Sequence, residues 1–436
     1  MSRTRVEPRR RGRGGGRRLA VYCILPALFA VQAASGADWP NWRGPARNGY
    51  SEHTGLPVEW SHDGNVERNI LWKLELPDRS GSTPIVVGDV VFLNVAEGDD
   101  LSLWRVDAGS GDVTWQRAIG GGNRFQRKHN MSSPSPITDG ERVWVLTGTG
   151  ALQAYDFDGN QLWARELEQD YGAFGLNHGY GSSALLWRDV LYVPVLHGMK
   201  TDDPSYLLAI DSSSGETIWR QERPTEARME SPDAYITPAL VEVGDGHVLV
   251  LNGGDVATGH DPESGRELWR VEGFNPRDSP MYRVVASPVS SGDLVFVPTR
   301  VNPMKALRLR AGGEPELLWQ TDRGPDVPTP ATDGETLYLL RDNGLLSRLD
   351  ARTGAPDWEN QRLEPGTYSA SLLVADGKVY ATSEDGVTTV VRNGPEFEIL
   401  AKNQVQGFTL SSFGVAPGRL YLRTASFLYC ISEPVR

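Results

Sequence analysis

The residues able to bind a ligand or do chemistry gather in a few irregular stretches of this chain. Arg124-Phe125-Gln126-Arg127-Lys128-His129-Asn130 is a basic island in an otherwise acidic sequence. Such a cluster holds an anionic or carbohydrate ligand, or it is a solvated loop. Tyr171 to Tyr180 joins aromatics and glycines to Asn177 and His178, a composition suited to a pocket wall or to a glycine-rich turn. His197 stands at the tip of a long hairpin, His197-Gly198-Met199-Lys200-Thr201-Asp202-Asp203. His129, His178 and His197 come from separate insertions, so they make a metal site only if the fold brings them together. Arg283 and Arg341-Asp342 are further polar candidates. No G-x-S-x-G, phosphate-loop or H-E-x-x-H motif is present. The expected ligand-binding set is therefore Arg124, Arg127, His129, Asn130, Asn177, His178, Arg283 and Arg341, with no catalytic residue and no metal ligand.

These stretches interrupt a repeat. In Asp107…Gly111…Trp115, Asp211…Gly215…Trp219, Asp261…Gly265…Trp269 and Asp350…Gly354…Trp358, Gly follows Asp by four residues and Trp follows it by eight. Asp156…Gly159…Trp163 is one residue shorter. Self-similarity at a period of roughly 40–50 residues signals a propeller or a solenoid. Each unit opens on a hydroxyl residue: Ser82-Thr83, Ser135, Ser183, Thr237, Ser287, Thr329, Ser371 and Ser412. Asp-Gly turns such as Asp139-Gly140, Asp333-Gly334 and Asp376-Gly377 then lead into alternating apolar strands, a strong hairpin signal. The closing positions are Trp72, Trp115, Trp163, Trp219, Trp269, Trp319, Trp358 and Leu400, the last standing in for Trp. Ile70-Leu71-Trp72 closes before any unit has opened, and Ser412 to Ile431 opens without closing. A ring resolves both and removes exposed sheet edges. The expectation is an all-β, eight-bladed propeller whose last blade is completed by the N-terminal strand. In it the repeated Asp accepts turn amides. The Gly frees the backbone, and the Trp buries its face while its N–H finds a carbonyl.

Ahead of the repeat, the first 18 residues hold eight Arg and one Glu, followed by the apolar run Leu19 to Val31 and the small residues Ala33 to Ala37. That order is a secretory signal peptide. Residues 1–37 are thus read as the signal, 38–69 as an irregular leader packed on the main domain or serving as a partner-binding arm, and 70–436 as the propeller. Without the signal, 36 of the 44 basic and 55 of the 56 acidic residues remain, which argues against nucleic acid as a partner. Cys430 is then the only cysteine, so export does not rest on an intrachain disulfide, and its place near a C-terminal strand suggests core.

The units, read as A-x-D-x-x-[ST]-G-x-x-x-W, resemble the tryptophan-docking repeats of pyrroloquinoline quinone (PQQ)-type β-propellers, over roughly residues 70–431. The compact length is similar to that of BamB-like and PQQ-binding-like members, and Trp42-Arg43-Gly44-Pro45 to the leader of many exported ones. The resemblance to BamB-like proteins implies a non-catalytic scaffold in the bacterial cell envelope, periplasmic or membrane-associated, with envelope or outer-membrane proteins as partners. A monomer without cofactor is expected. The resemblance to quinoprotein dehydrogenases implies the alternative, an oxidoreductase binding PQQ with Ca²⁺. Those enzymes carry an adjacent Cys-Cys pair that this chain lacks. Asp156-Phe157-Asp158-Gly159-Asn160 resembles part of a calcium loop but occupies the repeat's turn. A carbohydrate-binding propeller is the third reading.

Overall fold

The computed structural model describes residues 38–62, 67–300 and 302–433; the expected signal peptide lies outside them. Within the described residues the chain is all β, save a five-residue helical turn at Leu167–Tyr171. Eight sheets follow one another, each built on a four-stranded antiparallel unit, the architecture of a propeller with eight blades. Blade 3 shows the pattern: Leu185–Trp187, Val190–Val195, Tyr206–Asp211 and Thr217–Glu222 pair in that order. Blade 1 runs from Ile85–Val87 to Val113–Gly120 and blade 2 from Ile137–Thr138 to Gln161–Glu166. Blades 4, 5 and 6 end in Glu267–Val271, Glu316–Thr321 and Pro356–Arg362, and blade 7 in Ile399–Gln404. Blade 8 contains Gly414–Ala416, Arg419–Arg423 and Phe427–Ile431, and its fourth strand is Ile70–Glu75, paired antiparallel with Phe427–Ile431.

The inner three strands of each blade are nearly continuous in apolar residues because neighbouring blades cover both faces. The outer strands alternate, as in Thr217–Glu222, because only one face is covered. Each Trp locks its blade to the next. Its indole N–H donates to the carbonyl one residue past the next blade's turn Asp: Trp72 to Ala108, Trp115 to Phe157, Trp163 to Ser212, Trp219 to Pro262 and Trp319 to Ala351, at 2.9–3.2 Å. Trp358 donates to Gly394 at 3.2 Å. The turn Asp accepts local amides, as Asp350 does from Arg352 and Thr353. The turn Gly lies under the ring: a Cβ on Gly354, whose φ is +70°, would stand 2.7 Å from Trp319. Two junctions depart from this pattern. Blade 5 lacks the Asp–Gly turn that would receive Trp269, and Leu400 packs into the apolar cluster of blades 7, 8 and 1 without a donor.

The opening hydroxyls step into the first strand of each blade, as Ser183 does just before Leu185–Trp187. The leader is irregular for most of its length but also adds strands to one blade. Tyr50–Ser51 pairs parallel with Leu373–Ala375, and Ser61–His62 joins the other edge of blade 7 through Gln404, extending that sheet to seven strands. The cause is available pairing, since a blade's first and last strands each offer a free edge.

Replacing Trp319 by Ala should cost about 3 kcal/mol by urea denaturation, the low end for a large aromatic, because the ring is only partly buried. Gly354→Ala should cost on the order of 1–2 kcal/mol alone, from the ring clash and the positive φ. In the Trp319→Ala background only the backbone part should persist, so the two losses should fall short of additivity.

Candidate functional site

The hydroxyl that opens each unit stands on the central axis. The backbone N–H of one opening residue donates to the hydroxyl of the next: Thr83 to Ser135, Ser135 to Ser183, Thr237 to Ser287, Ser287 to Thr329, Thr329 to Ser371, Ser371 to Ser412, and Ser412 to Thr83, at 2.9–3.1 Å. Between Ser183 and Thr237 the direction reverses, and the Thr237 hydroxyl donates to the Ser183 carbonyl. All eight of these residues line one cavity of ≈ 450 Å³. So does the residue two before each opening, namely Gly81, Ser133, Gly181, Tyr235, Val285, Val327, Ser369 and Leu410. The wall of this funnel is thus two stacked rings with one contribution from each blade.

The leader forms its floor. Trp39 pairs with Val86 of blade 1, and the Pro40 carbonyl accepts the Thr138 N–H of blade 2. Arg47 donates to Leu186 of blade 3, at 2.6 Å. The Asn48 and Gly49 carbonyls then accept from Thr332 of blade 6 and Val374 of blade 7. A segment this short reaches blades 3 and 6 only by crossing the axis. Arg43, 3% exposed, donates to the Leu372 carbonyl at 3.0 Å and to that of Pro330. Burial lowers its pKa to about 9, so it remains a cation at neutral pH. Trp42 borders both the funnel and a void of ≈ 10 Å³ behind the crossing.

The insertions form the upper wall. The basic island folds as a tight turn with Gln126 and His129 bridged through their backbones and Arg127 at φ +54°. It presents Arg127, Lys128 and His129 to the funnel, where they meet His178 and Arg283. Arg124, Asn130, Asn177 and Arg341 do not line the cavity. Arg124 is exposed, and the buried Asn130 amide ties Arg79 to Ser132. Asn177 supports the wall from behind, donating its side chain to Glu230 and its backbone N–H to Asp233 at 2.9 and 2.6 Å. His197 lies apart, accepting from Gly175 and facing the Pro204 carbonyl, so the three histidines do not converge.

Several wall residues were not anticipated. The buried Glu230 carboxylate meets His178 Nε2 at 3.1 Å and Arg283 at 3.9 Å. Tyr235 accepts the His178 N–H, and Lys128 reaches Glu384 beside blade 7 at 2.6 Å. Asp342 accepts the N–H groups of Asp326 and Val327. Asp326 Oδ1 is buried without a hydrogen-bond partner, and Arg300 stands 4.0 Å from Oδ2. Counting back two residues from each opening would have found Tyr235 and Ser369, but no spacing marks Glu230 or Asp326. Burial lowers the His129 and His178 pKa values, with Glu230 opposing at His178, so both rings favour the neutral form.

A quinone–calcium site needs a cation seat. Among the described residues no three His, Cys, Asp or Glu side chains stand close enough to hold a metal ion. Glu230, a buried carboxylate of the wall, already faces His178, Arg283 and Asn177. The free Cys430 is buried in blade 8. These residues do not fit the metal-dependent cofactor. The funnel is a rigid polar receptacle with an aromatic residue at its base.

The family model described as outer membrane protein assembly factor BamB matches residues 66–176, 175–322 and 313–394. Proteins of that name are similar in sequence. The one from Alteromonas naphthalenivorans is 26% identical over 305 residues, covering 63% of this chain and 65% of its own length. The one from Escherichia coli K12 is 25% identical over 194 residues, or 42% of each chain. The chain thus spans less than two thirds of the curated relatives it matches. Among solved structures, BamB from Moraxella catarrhalis superposes with TM-score 0.60 at 15% identity, over 83% of this chain and 99% of that one. A europium-containing methanol dehydrogenase gives 0.67 at 12%, over 91% and 98%. At these identities the likeness shows the fold alone.

Desolvation, then the neighbouring Asp342, raises the Asp326 pKa to about 6, against about 3.9 for an unperturbed Asp. The folded state therefore holds this proton more tightly than the unfolded state. The stability it contributes is fully present below pH ~4 and is lost as pH rises through ~6. Asp326→Asn should stabilise by on the order of 1–2 kcal/mol at pH 7.5 and by almost nothing at pH 4, read from melting curves at the two pH values.

Proposed function

The chain belongs to the outer membrane protein assembly factor BamB family, and from that membership we propose that it is a non-catalytic binding propeller of the cell envelope. The observation that carries this reading is the one-ended funnel. Eight blades and a crossing leader build a fixed polar cavity in whose wall His178 is held by Glu230 and Lys128 by Glu384. Such pairs hold a shape, whereas a general acid or base needs a free proton site aimed at a substrate. The name of the relatives supports outer-membrane assembly proteins as partners. The signal-like N-terminus supports export.

A PQQ-dependent oxidoreductase is the competing reading, favoured by Trp42 at the funnel base, where a flat ring system can stack. Melting the protein with and without PQQ and Ca²⁺ separates the two. A ligand at 100 times its dissociation constant stabilises by ~2.7 kcal/mol. No shift beyond that of Ca²⁺ alone is expected, together with recovery of the tagged protein in the envelope fraction. A PQQ-dependent rise, or a cytosolic protein, would overturn the proposal.

A further inference from the structure

The funnel carries a charge pattern opposite to that of the chain around it. The whole sequence has a formal net charge of −12. Yet Arg127, Lys128, Arg283 and Arg300 line the cavity against only two carboxylates, Asp326 and Asp342, among the described residues. A low-dielectric cleft of one sign focuses its field on whatever enters, so the funnel attracts anions into a protein that otherwise repels them. The two carboxylates do not cancel this. Asp342 is turned onto two backbone amides, and among the four cations only Lys128 has a carboxylate within hydrogen-bond distance, at 2.6 Å, while Arg300 donates to the Met281 carbonyl.

Arg283 is the strongest single feature. Its side chain is 15% exposed, and its nearest carboxylate, Glu230, is 3.9 Å away, beyond hydrogen-bond reach. A guanidinium offers five donors in a fixed fork that matches a carboxylate or phosphate. Below it the hydroxyl ring adds donors of a second kind. Seven of the eight hydroxyls accept a backbone N–H, and among the described residues none of the seven gives its own proton to a protein acceptor. Their O–H groups are left for the occupant of the cavity they line. Donors this numerous select an acceptor-rich ligand, and the Trp42 base provides an apolar face for a small ring.

We propose that the funnel binds a small anionic polyol, a sugar acid or sugar phosphate, with its anionic group on Arg283 and Arg127 and its hydroxyl oxygens on the axial ring. The proposal rests on the binding reading above and names the ligand class of that site. Neutral sugars lack the charge that the arginines select, and amino sugars meet the cationic wall with the wrong sign.

The test is calorimetric titration of the full-length protein with D-glucuronate, D-glucose 6-phosphate, D-glucose and D-glucosamine. One or both anions should bind, with affinity falling as salt is raised, and glucose should bind about tenfold more weakly or not at all. Arg283→Gln should weaken anion binding about tenfold or more, the loss expected for a charge-assisted hydrogen bond. Arg127→Gln, at an exposed turn where folding is not at stake, should also weaken it. Arg124→Gln, on the same island but outside the funnel, should leave it unchanged. Which anion binds tells a carboxylate site from a phosphate site. Absence of anion binding, equal binding of glucose, or indifference to both Arg283→Gln and Arg127→Gln would overturn the proposal. In that event an unshifted melt with PQQ still leaves the scaffold reading standing, whereas a PQQ-dependent melt removes that reading whatever the sugars do.

Discussion

A backbone amide directed into the hydroxyl of the neighbouring repeat, at seven of the eight steps, sets the axis on which the structure is arranged. Ser, Thr and the main chain make this contact without charge, so it can recur around a circle without accumulating repulsion. It fixes how closely the innermost strands approach. The indole bonds at the blade rims then fix how widely the outer strands spread. A wedge pinned at its narrow end and at its wide end has little freedom to tilt. The funnel inherits that rigidity because its two rings are the narrow ends themselves.

The leader is held by the same economy of backbone contacts. Its crossing segment, residues 39–49, touches five blades through carbonyls, amides and two arginines, and the large aromatic it places at the funnel is Trp42. Arg43 is an expensive residue to bury, since its charge leaves water for carbonyl oxygens and, among the described residues, no carboxylate is within ion-pair distance. Its long donor fork nevertheless joins blades 6 and 7 through the Pro330 and Leu372 carbonyls.

Much of the fold was legible because its requirements are local and repeated. Asp at a turn, Gly four residues on and Trp four further are each demanded by one blade's geometry and demanded again by the next. The missing strand of blade 8 was legible for the same reason, as a mismatch between units opened and units closed. The site was legible only in part. Arg127, His129, His178 and Arg283 were found because they break the repeat. Arg124 and Arg341 break it equally and face elsewhere, since one-dimensional spacing does not say which side of a turn faces the axis. Glu230 and Asp233 escaped notice because their partners, Asn177, His178 and Met199, sit on insertions remote in sequence. The axial crossing of residues 39–49 escaped for a similar reason, as it depends on blades 3, 6 and 7, which are made much later in the chain.

The pairing of Ile70–Glu75 with Phe427–Ile431 also bears on how the molecule comes into being. A ribosome delivers the first of these strands long before the second. In the interval the early strand waits without its partner, and blade 8 forms only through a contact between segments remote in sequence, the slow kind to make. The waiting strand alternates Ile70, Trp72 and Leu74 with Leu71, Lys73 and Glu75. Its two charges stand on the face that remains in water in the finished molecule, and they make the orphan edge a poorer template for strangers in the interval.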